Sequence, residues 1–426
     1  MRFTHYMSRL IASLMVVAVF VSVWLLAPET PEQRIKLAQA DVASPGVVFN
    51  QRLASDGKTI MVHAPSLVEL PDGRLLAAWF GGSREGARDV TIDGAYYDPK
   101  SALWSSSFTL TSPALTQAGT RRFIKKLGNP VLVIGADGQL WMIYVSVSVG
   151  GWATSQLNLV KSPDLGRSWG SPRRLVTSPF FNLSTLVKGT PFYYEDGTLG
   201  VPAYHEFAGK FGEVLRLDTD GALVDKVRLT KGKESLQPII LTESTGRATS
   251  YLRYAGEDAP YRVLKTRLNS DGSWGEAVKT SIANPNSALT GFRALERNWM
   301  IANDTVDERD RLALLVEDKS GGWRVVHYFE DSSSYFKDRP DRKEFARMMD
   351  GSISAMLALQ PARLPLLDTL KRRAEGEMCY KDSCYFQYDY PYAVRTTNGR
   401  IHILFTWNSS AIKHIEVSEG WLREKL

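Results

Sequence analysis

The chain has 426 residues, 44% of them hydrophobic and 23% charged, a composition typical of a globular protein with one large or two or three smaller domains. Its net charge of +6 suits an acidic ligand such as a sugar carboxylate, an anionic glycan or a phosphate-bearing surface. No run of Lys and Arg resembles a nucleic-acid-binding footprint, so nucleic acid is not an expected partner.

The N-terminal segment contains an apolar run over residues 10–27, preceded by Arg2 and Arg9. This run approaches the minimum length of a membrane-spanning helix, and the preceding basic residues favour a cytoplasmic N-terminus. We therefore expect a cytoplasmic stub and signal anchor over 1–27 and an exposed polar tether over 28–45. The domain over 46–426 would then be exported to the periplasmic or extracellular side of the cell membrane. The alternative is cleavage after 38–40 (Ala-Gln-Ala), although this site lies far beyond the apolar run.

Six turns along the remaining chain each launch a short apolar strand, at intervals of about 50 to 65 residues. One supersecondary unit is therefore repeated, because a single small sheet cannot bury both of its faces alone. The pattern predicts an all-β fold, a six-bladed β-propeller. The launching segments are LPDGRLLAAW (70–79), GADGQLWMIY (135–144), YEDGTLGVPAY (194–204), ESTGRATSYLR (243–253), LERNWMIAND (295–304) and TTNGRIHILFT (396–406).

A second kind of turn is clearest in SPDLGRSW (162–169), which fits the Asp-box pattern S-x-D-x-G-x-x-W. Asp164 can accept hydrogen bonds from turn N–H groups, Gly166 can adopt a positive φ, and Trp169 can pack under the loop. Weaker relatives are LDTDG (217–221), LNSDGSW (268–274) and EDKSGGW (317–323). We assign these turns to architecture and not to chemistry.

A helical insertion is predicted over 331–378, between the fifth repeat and the last. Apolar residues recur there at three- and four-residue steps. Pro340 and Asp341 are expected to start the helix, and Pro361 and Pro365 to end it. The insertion is either a helix packed on the rim of the propeller or a lid at the mouth of its site. The apolar residues are Phe345, Met348, Met349, Ile353, Met356 and Leu357.

The two cysteines, Cys379 and Cys384, are expected to close a small loop disulfide in an exported domain, since two ligands alone cannot make a structural zinc site. His205, His402 and His414 show no paired metal-binding motif. We interpret them as ordinary polar contacts and predict neither a metal nor a cofactor.

Taken together, several segments resemble the bacterial sialidase-like BNR-repeat family, over about residues 47–420 without the insertion. The segments are HAPSLVELPDGRLLAAWFGG (63–82), GNPVLV (128–133), the Asp box, LQPIIL (236–241), ANPNSA (283–288) and YPYAVRTTNGRIHILFTWNSSAIKH (390–414). The resemblance implies a sialidase-like propeller. Sialidases generally hold the substrate carboxylate with three arginines, protonate the leaving oxygen with an aspartic acid, and use a tyrosine paired with a glutamate as nucleophile.

The resemblance assigns the carboxylate-binding residues with one departure. The first arginine falls on His63 in HAP, and imidazole is mostly neutral at pH 7 and cannot grip a carboxylate bidentately. The second falls on Arg253, and the third on Arg309 or Arg311, with Arg309 the better match. Each arginine would otherwise form a surface ion pair.

The acid, by the same resemblance, falls on Asp89 in the loop WFGGSREGARD (79–89), with Glu85 as its neighbour. The nucleophile falls on Tyr390, but its glutamate partner falls on Gln237, a second departure. A phenol is neutral near pH 7 and an amide cannot remove its proton.

The resemblance and the two departures leave three hypotheses open. The first is an exo-acting hydrolase of sialidase type that removes a terminal acidic sugar. The second is a lyase that acts on uronic acids by β-elimination, with Tyr390 and His63 transferring protons. The third is a propeller that binds acidic glycan without turnover. All three predict that His63, Asp89, Arg253, Arg309 and Tyr390 converge on one central cavity.

Overall fold

The structure, a computed structural model, describes residues 2–25, 32–37, 44, 46–178, 182–207, 209–335 and 338–426. The chain forms two compact units, Met1–Gln33 and Arg34–Leu426. The first unit contains helix α1, Arg2–Leu25. Within the described residues, no helix combines the length and the hydropathy that a membrane span requires, so the membrane anchor predicted over 1–27 is not supported. The proposed cleavage site at 38–40 and much of the 28–45 tether lie outside the described residues.

The second unit is a ring of six antiparallel sheets, as the six launching turns predict. Blades are numbered here in chain order, and the strands of each are given from the inner strand at the axis outwards. They are Met61–Glu69, Leu75–Gly82, Thr91–Asp98, Leu103–Trp104 and Phe108–Thr111 (blade 1); Lys126–Ile134, Leu140–Val147, Gln156–Ser162 and Arg173–Arg174 (blade 2); Thr185–Val187 with Phe192–Tyr193, Leu199–His205, Phe211–Leu217 and Leu223–Arg228 (blade 3); Ser235–Ser244, Arg247–Tyr254, Arg262–Arg267 and Val278–Ala283 (blade 4); Thr290–Ala294, Arg297–Ala302, Arg311–Glu317 and Trp323–Asp331 (blade 5); and Tyr388–Arg395, Ile401–Trp407, Ala411–Val417 and Phe49–Leu53 (blade 6).

Blade 6 is built from both ends of the propeller domain. Its three inner strands come from the C-terminal region, and its outer strand Phe49–Leu53 pairs antiparallel with Ala411–Val417, with Phe49 opposite Val417. Closing the ring in this way pairs the sheet edge that the N-terminal strand would otherwise expose.

Every launching turn connects the inner strand of a blade to its second strand, so all six turns lie on one face of the ring. The Asp box connects the third and fourth strands of blade 2 and lies on that face too. Ser162 Oγ accepts from Gly166 N over 2.8 Å, and Asp164 Oδ1 accepts from Ser168 N over 2.8 Å. These bonds confirm the architectural role predicted for the motif. We call the opposite face, where inner strands begin and second strands end, the mouth face.

The helical insertion begins as predicted, since Asp341 and Glu344 form a capping box at the start of α3, Arg342–Leu357. The helix ends at Leu357, before Pro361 and Pro365, as predicted, but helical structure resumes from these prolines onwards. Both lie in a 3₁₀ turn, Pro361–Leu366, that leads into a further helix, Leu367–Met378. Proline is tolerated at the start of a helix because the first N–H groups have no partner within it.

The insertion packs on the rim of blades 5 and 6. The apolar face of α3 shares one hydrophobic core with these two blades. Gln360 accepts from Leu53 N over 2.7 Å and donates to Leu53 O over 3.1 Å, and Arg363 donates to the carbonyls of Leu53, Ala54 and Ser55. These contacts fasten the insertion to the outer strand of blade 6 and support the rim interpretation rather than a lid.

The remaining elements are short. Helix α2, Pro113–Thr120, links blades 1 and 2, a 3₁₀ turn covers Trp152–Thr154, and helix Glu419–Arg423 follows blade 6. The predicted disulfide between Cys379 and Cys384 is present and staples the hairpin of Cys379–Tyr380 and Ser383–Cys384. Residues 34–36 of the predicted exposed tether instead pack on blade 3, because Lys36 N donates to Tyr193 O and Ile35 is buried beside Tyr194.

Candidate active site on the mouth face

Four inner strands share the same distortion close to the mouth face. Ala64, Asn129, Gln237 and Tyr390 each precede a proline and have positive φ angles of 52°, 39°, 48° and 51°. Strand register shifts at each of these positions. Proline supplies no N–H to the ladder, and positive φ in a residue with a Cβ costs on the order of 1 kcal/mol. Strained bulges of this kind re-aim side chains and are enriched next to functional sites.

Gln237 is the centre of a hydrogen-bond network at the axis. It is 1% exposed, its Nε2 donates to Tyr390 Oη over 3.1 Å and to Tyr204 Oη over 3.3 Å, and its Oε1 accepts from Arg253 NH1 over 3.1 Å. Asn129 Nδ2 donates to the same Tyr204 Oη over 3.1 Å. Four blades therefore meet through one network.

The orientation of the Gln237 amide follows from its partners. A guanidinium can only donate, so the atom facing Arg253 must be the oxygen. The NH₂ group then points to the two tyrosine oxygens. Gln237 is consequently a hydrogen-bond donor to Tyr390, and it cannot accept the phenol proton in this geometry.

Arg253 and Arg309 lie on adjacent blades and are joined through Asn286. Arg253 Nε donates to Asn286 Oδ1 over 2.7 Å, and Arg309 NH2 donates to Asn286 O over 2.8 Å. Arg309 NH1 also donates to the buried Asp389 Oδ1 over 2.9 Å, and the charge of Asp389 helps to raise the pKa of Arg309 against the effect of burial. These bonds hold two guanidinium groups in fixed positions near Tyr390.

His63 packs against Tyr390 with ring centroids 4.5 Å apart. Its side chain is buried, and burial lowers the pKa of His63, an effect that the negative charges of Asp389 and Glu85 oppose. The imidazole is therefore neutral at pH 7 and able to accept a proton.

The two acid candidates differ in their surroundings. Asp89 is exposed and accepts from both the backbone N and the hydroxyl of Ser83 over 2.9 Å, so it stabilises its own loop. Glu85, in the same loop, is close enough for its charge to raise the pKa of His63 and of Arg309. Of the two, Glu85 is electrostatically coupled to the site.

The structure also separates the two arginine candidates of blade 5. Arg311 donates from Nε to Asp304 Oδ1 over 2.7 Å and stacks on Tyr328, away from the network. Arg309 is the arginine that joins it.

The other singled-out histidines lie outside the site. His414 Nδ1 accepts from Trp104 Nε1 over 3.1 Å, and His414 Nε2 lies 3.0 Å from His402 Nδ1 in the core of the ring. Burial lowers the pKa of His402 to about 4, so this pair is neutral and structural. His205 stacks on Phe211. Among the described residues, no group of three or more His, Cys, Asp and Glu side chains is arranged to hold a metal ion.

Sequence reasoning missed five members of the site. A usable signal existed for one of them, because the dipeptide X-Pro recurs in the inner strands as Ala64-Pro65, Asn129-Pro130, Gln237-Pro238 and Tyr390-Pro391. Equivalent positions in a repeat fold point to the same axis, and this recurrence marks Asn129. The other four are Tyr204, Asn286, Asp389 and Lys188, whose Nζ donates to the O of Pro391, next to Tyr390, over 2.9 Å.

Comparisons with known proteins agree with this architecture. A family described as BNR repeat-like domain matches residues 73–403. A comparison with curated proteins returns no match. The Hadza microbial sialidase Hz136 has a similar structure, with a TM-score of 0.59 and 15% identity over 86% of this chain and 67% of its own.

Two further solved structures are similar over nearly their full length. The intramolecular trans-sialidase from Ruminococcus gnavus has a TM-score of 0.57 at 12% identity, covering 87% of this chain and 97% of its own. The alpha-L-arabinanase of Penicillium chrysogenum has a TM-score of 0.52 at 11% identity, covering 88% and 99%. At these identities the likeness shows the fold. Because the family match spans most of the chain, the chain belongs to the BNR repeat-like domain family, and it has a sialidase-like six-bladed propeller fold.

Proposed function

We propose that this chain is an exo-acting glycoside hydrolase of sialidase type that removes a terminal acidic sugar from a glycan. The observation that carries the proposal is the convergence of Arg253, Arg309 and Tyr390, from three different blades, through Gln237, Asn286 and Asp389. Arg309 does form an ion pair with Asp389, but the Asp389 carboxylate is buried and the pair belongs to this network.

The two arginines supply the carboxylate site. Asn286 and Asp389 fix the guanidinium planes, and each guanidinium retains further N–H donors, because arginine carries five of them. Two fixed cations held together by Asn286 favour a planar anion such as a sugar carboxylate.

Tyr390 is the nucleophile in this scheme. Its oxygen attacks the anomeric carbon and its proton passes to neutral His63, while Glu85, after taking up a proton from solvent, gives that proton to the departing glycosidic oxygen. The Glu85 carboxylate then removes a proton from a water molecule that attacks the anomeric carbon, and Tyr390 leaves as it regains its proton from His63. The Gln237 amide donates to the attacking oxygen and holds it in place beside Arg253. We assign the acid to Glu85 in preference to Asp89, because the Asp89 carboxylate is engaged with Ser83.

One observation favours a second candidate, β-elimination from a uronic acid. Gln237 donates to Tyr390 instead of accepting its proton, and a neutral His63 lies against the same ring. In such a reaction Arg253 and Arg309 would neutralise the carboxylate and so acidify the α-proton. His63 or Tyr390 would remove that proton, and the other would protonate the leaving oxygen.

One experiment separates these candidates. The full-length protein is incubated with a panel of sialylated and uronic-acid-containing glycans, and each reaction is followed by a reducing-end assay and by ultraviolet absorbance. Hydrolysis releases reducing ends without absorbance, whereas elimination produces an unsaturated ring that absorbs. Binding without either product across the panel would refute both reactions and leave the non-catalytic hypothesis.

A further inference from the structure

A basic segment runs from the rim of the propeller to the central site, and it has no role in the proposed reaction. Residues 121–126, RRFIKK, connect the helix Pro113–Thr120 to the inner strand of blade 2. Three residues later the same strand reaches Asn129, a member of the central network. We call residues 121–126 the basic path.

The inner end of the path carries an aromatic platform next to the site. Lys126 Nζ lies 4.1 Å from the centroid of the Trp152 ring. The Trp152 ring packs directly on Gly128, where an added Cβ would lie 2.6 Å from Cη2, so Trp152 is immediately beside Asn129. Lys126 also borders the loop of Glu85, since a Cβ added at Gly86 would lie 3.6 Å from its Nζ.

The outer end of the path opens into a cavity of about 550 Å³. Arg121, Arg122 and Phe123 line it together with the helix, and Phe123 is 55% exposed. Arg122 donates to Ser148 Oγ over 3.0 Å and to Gln156 Oε1, both neutral partners. Apolar and cationic groups therefore face the same open space.

The cations of the basic path form no ion pairs with the residues that the structure describes. In the part of the chain that the structure describes, neither Arg121, Arg122, Lys125 nor Lys126 has a carboxylate within ion-pair distance. Burial lowers the pKa of Arg122, and the charge of Arg174 lowers it further. Burial also lowers the pKa of Lys126, an effect that the charge of Glu85 opposes and the charge of Lys125 increases. Cations that repel one another in this way attract an external polyanion.

From this placement we infer that the basic path and Trp152 bind the further acidic sugars of a polyanionic polysaccharide whose terminal sugar occupies the central site. The inference rests on the proposed function, which it deepens by assigning the substrate class, an acidic polymer and not a neutral glycan with one acidic end. Continuity with Asn129 favours a polysaccharide over a nucleic acid. If the basic path binds these further sugars, the affinity of the protein should increase with the length of the acidic oligosaccharide.

The test measures dissociation constants of the full-length protein by calorimetry at low and at raised salt. The probes are galacturonic acid, pentagalacturonate, sialic acid and an α-linked sialic acid pentamer, with a single-stranded 12-mer oligonucleotide alongside. We expect the better acidic pentamer to bind about tenfold or more tightly than its monosaccharide, with salt weakening this gain, because several partly desolvated cations contribute.

In the variant Lys125→Gln/Lys126→Gln, the dissociation constant of the pentamer should lie within about twofold of that of the monosaccharide. The dissociation constant of the monosaccharide should stay unchanged. The matched control is Lys100→Gln/Lys319→Gln, which removes the same charge from exposed lysines on the face of the launching turns. A length gain that persists in the Lys125/Lys126 variant, an equal loss in the control, or no length gain in the wild type would overturn the inference.

Two outcomes separate this inference from the proposed function. Length-dependent binding without cleavage would refute the hydrolase and retain the basic path. Cleavage of short acidic glycosides without any length gain would retain the hydrolase and refute the path. Oligonucleotide binding as tight as that of the pentamer, and lost in the same variant, would identify the path as a nucleic-acid site and also overturn the inference.

Discussion

The Gln237 amide donates to the Tyr390 hydroxyl over 3.1 Å while its carbonyl oxygen accepts from Arg253 over 3.1 Å. This relationship fixes the chemistry available to Tyr390. A carboxylate at the same position would take the phenol proton, whereas the amide stabilises the oxygen and leaves the proton to another group. His63, packed on the same ring, is the candidate acceptor.

Replacing Gln237 by glutamate tests this relationship. If Tyr390 is a nucleophile, Gln237→Glu should raise kcat for a chromogenic acidic glycoside by about tenfold or more, because a general base is restored beside the phenol. Arg253 would pair with the new carboxylate and limit the effect of its burial. A fall in kcat with unchanged folding would show instead that the donor role of the amide is required.

Removing the Tyr390 hydroxyl should abolish turnover but leave the fold intact. Tyr390→Phe is expected to lower kcat at least about a hundredfold, since no other hydroxyl occupies its place. Thermal stability should change little, because Gln237 keeps its bond to Tyr204. The control is Tyr380→Phe, a side chain that is 77% exposed. Wild-type turnover in Tyr390→Phe would refute the assignment of Tyr390 as the nucleophile.

The two arginines of blade 5 form a matched pair for a binding test. Arg309→Lys should raise KM about tenfold, because lysine keeps the charge but cannot bridge Asp389 and Asn286 while holding a carboxylate in a fixed plane. Arg311→Lys, which alters the pair with Asp304, should leave KM within about twofold. Equal effects of the two substitutions on steady-state KM would contradict the geometry proposed for the carboxylate.

The acid assignment is tested by the two carboxylates of one loop. Glu85→Gln should lower kcat by about a hundredfold for substrates with poor leaving groups, and less for an activated phenolic leaving group that needs no proton. Asp89→Asn should mainly lower thermal stability, through weaker bonds to Ser83. If kcat instead falls in Asp89→Asn and persists in Glu85→Gln, the acid is Asp89.

The lowered pKa of Lys188 leads to a prediction about stability that does not depend on activity. It is 3% exposed, donates to Pro391 O over 2.9 Å, and burial lowers its pKa to about 7. Between about pH 7 and about pH 10 the unfolded chain therefore binds more protons at this residue than the folded protein, so this contribution to the free energy of unfolding rises with pH. Below pH 7 it is constant.

Urea denaturation at about pH 7 and about pH 9.5 checks this sign, since these values span most of the window. Between the two pH values, the free energy of unfolding of the wild type should rise by a few kcal/mol relative to that of Lys188→Met. Parallel behaviour of the two proteins would show that Lys188 is charged in the folded state at both.

Much of the fold was predictable because its signals are local. Each launching turn needs a residue that tolerates a tight hairpin, as Gly73, Gly138 and Gly399 do with φ of 83°, 74° and 77°, and each is followed by an apolar strand. The repeat of that unit predicts a ring. The start of α3 was predictable for the same reason, since Asp341 and Glu344 cap it within one turn.

Other features were not predictable because they depend on distant partners. Pro361 and Pro365 predict the end of α3 but not the turn that follows it, because Gln360 and Arg363 anchor that turn to residues 53–55, more than 300 positions away in the chain. The sequence predicts a tether over residues 34–36 because the segment is short and polar. Nothing in it indicates that it binds to the edge of blade 3. The sequence favours Arg309 over Arg311 and Asp89 over Glu85 only through the resemblance, because the contacts that distinguish the members of each pair exist only in the assembled ring.

The sequence by itself determined the repeated blade, the disulfide and the residue types available to the site, because turns, alternating strands and neighbouring cysteines are specified within a few positions. Only the tertiary structure decided which residues act together. Ring closure brings Gln237, Arg253, Arg309 and Tyr390 from three blades to one axis, where single hydrogen bonds of about 3 Å fix the direction in which each group donates. That direction is a property of the assembled ring, and no stretch of the chain contains it.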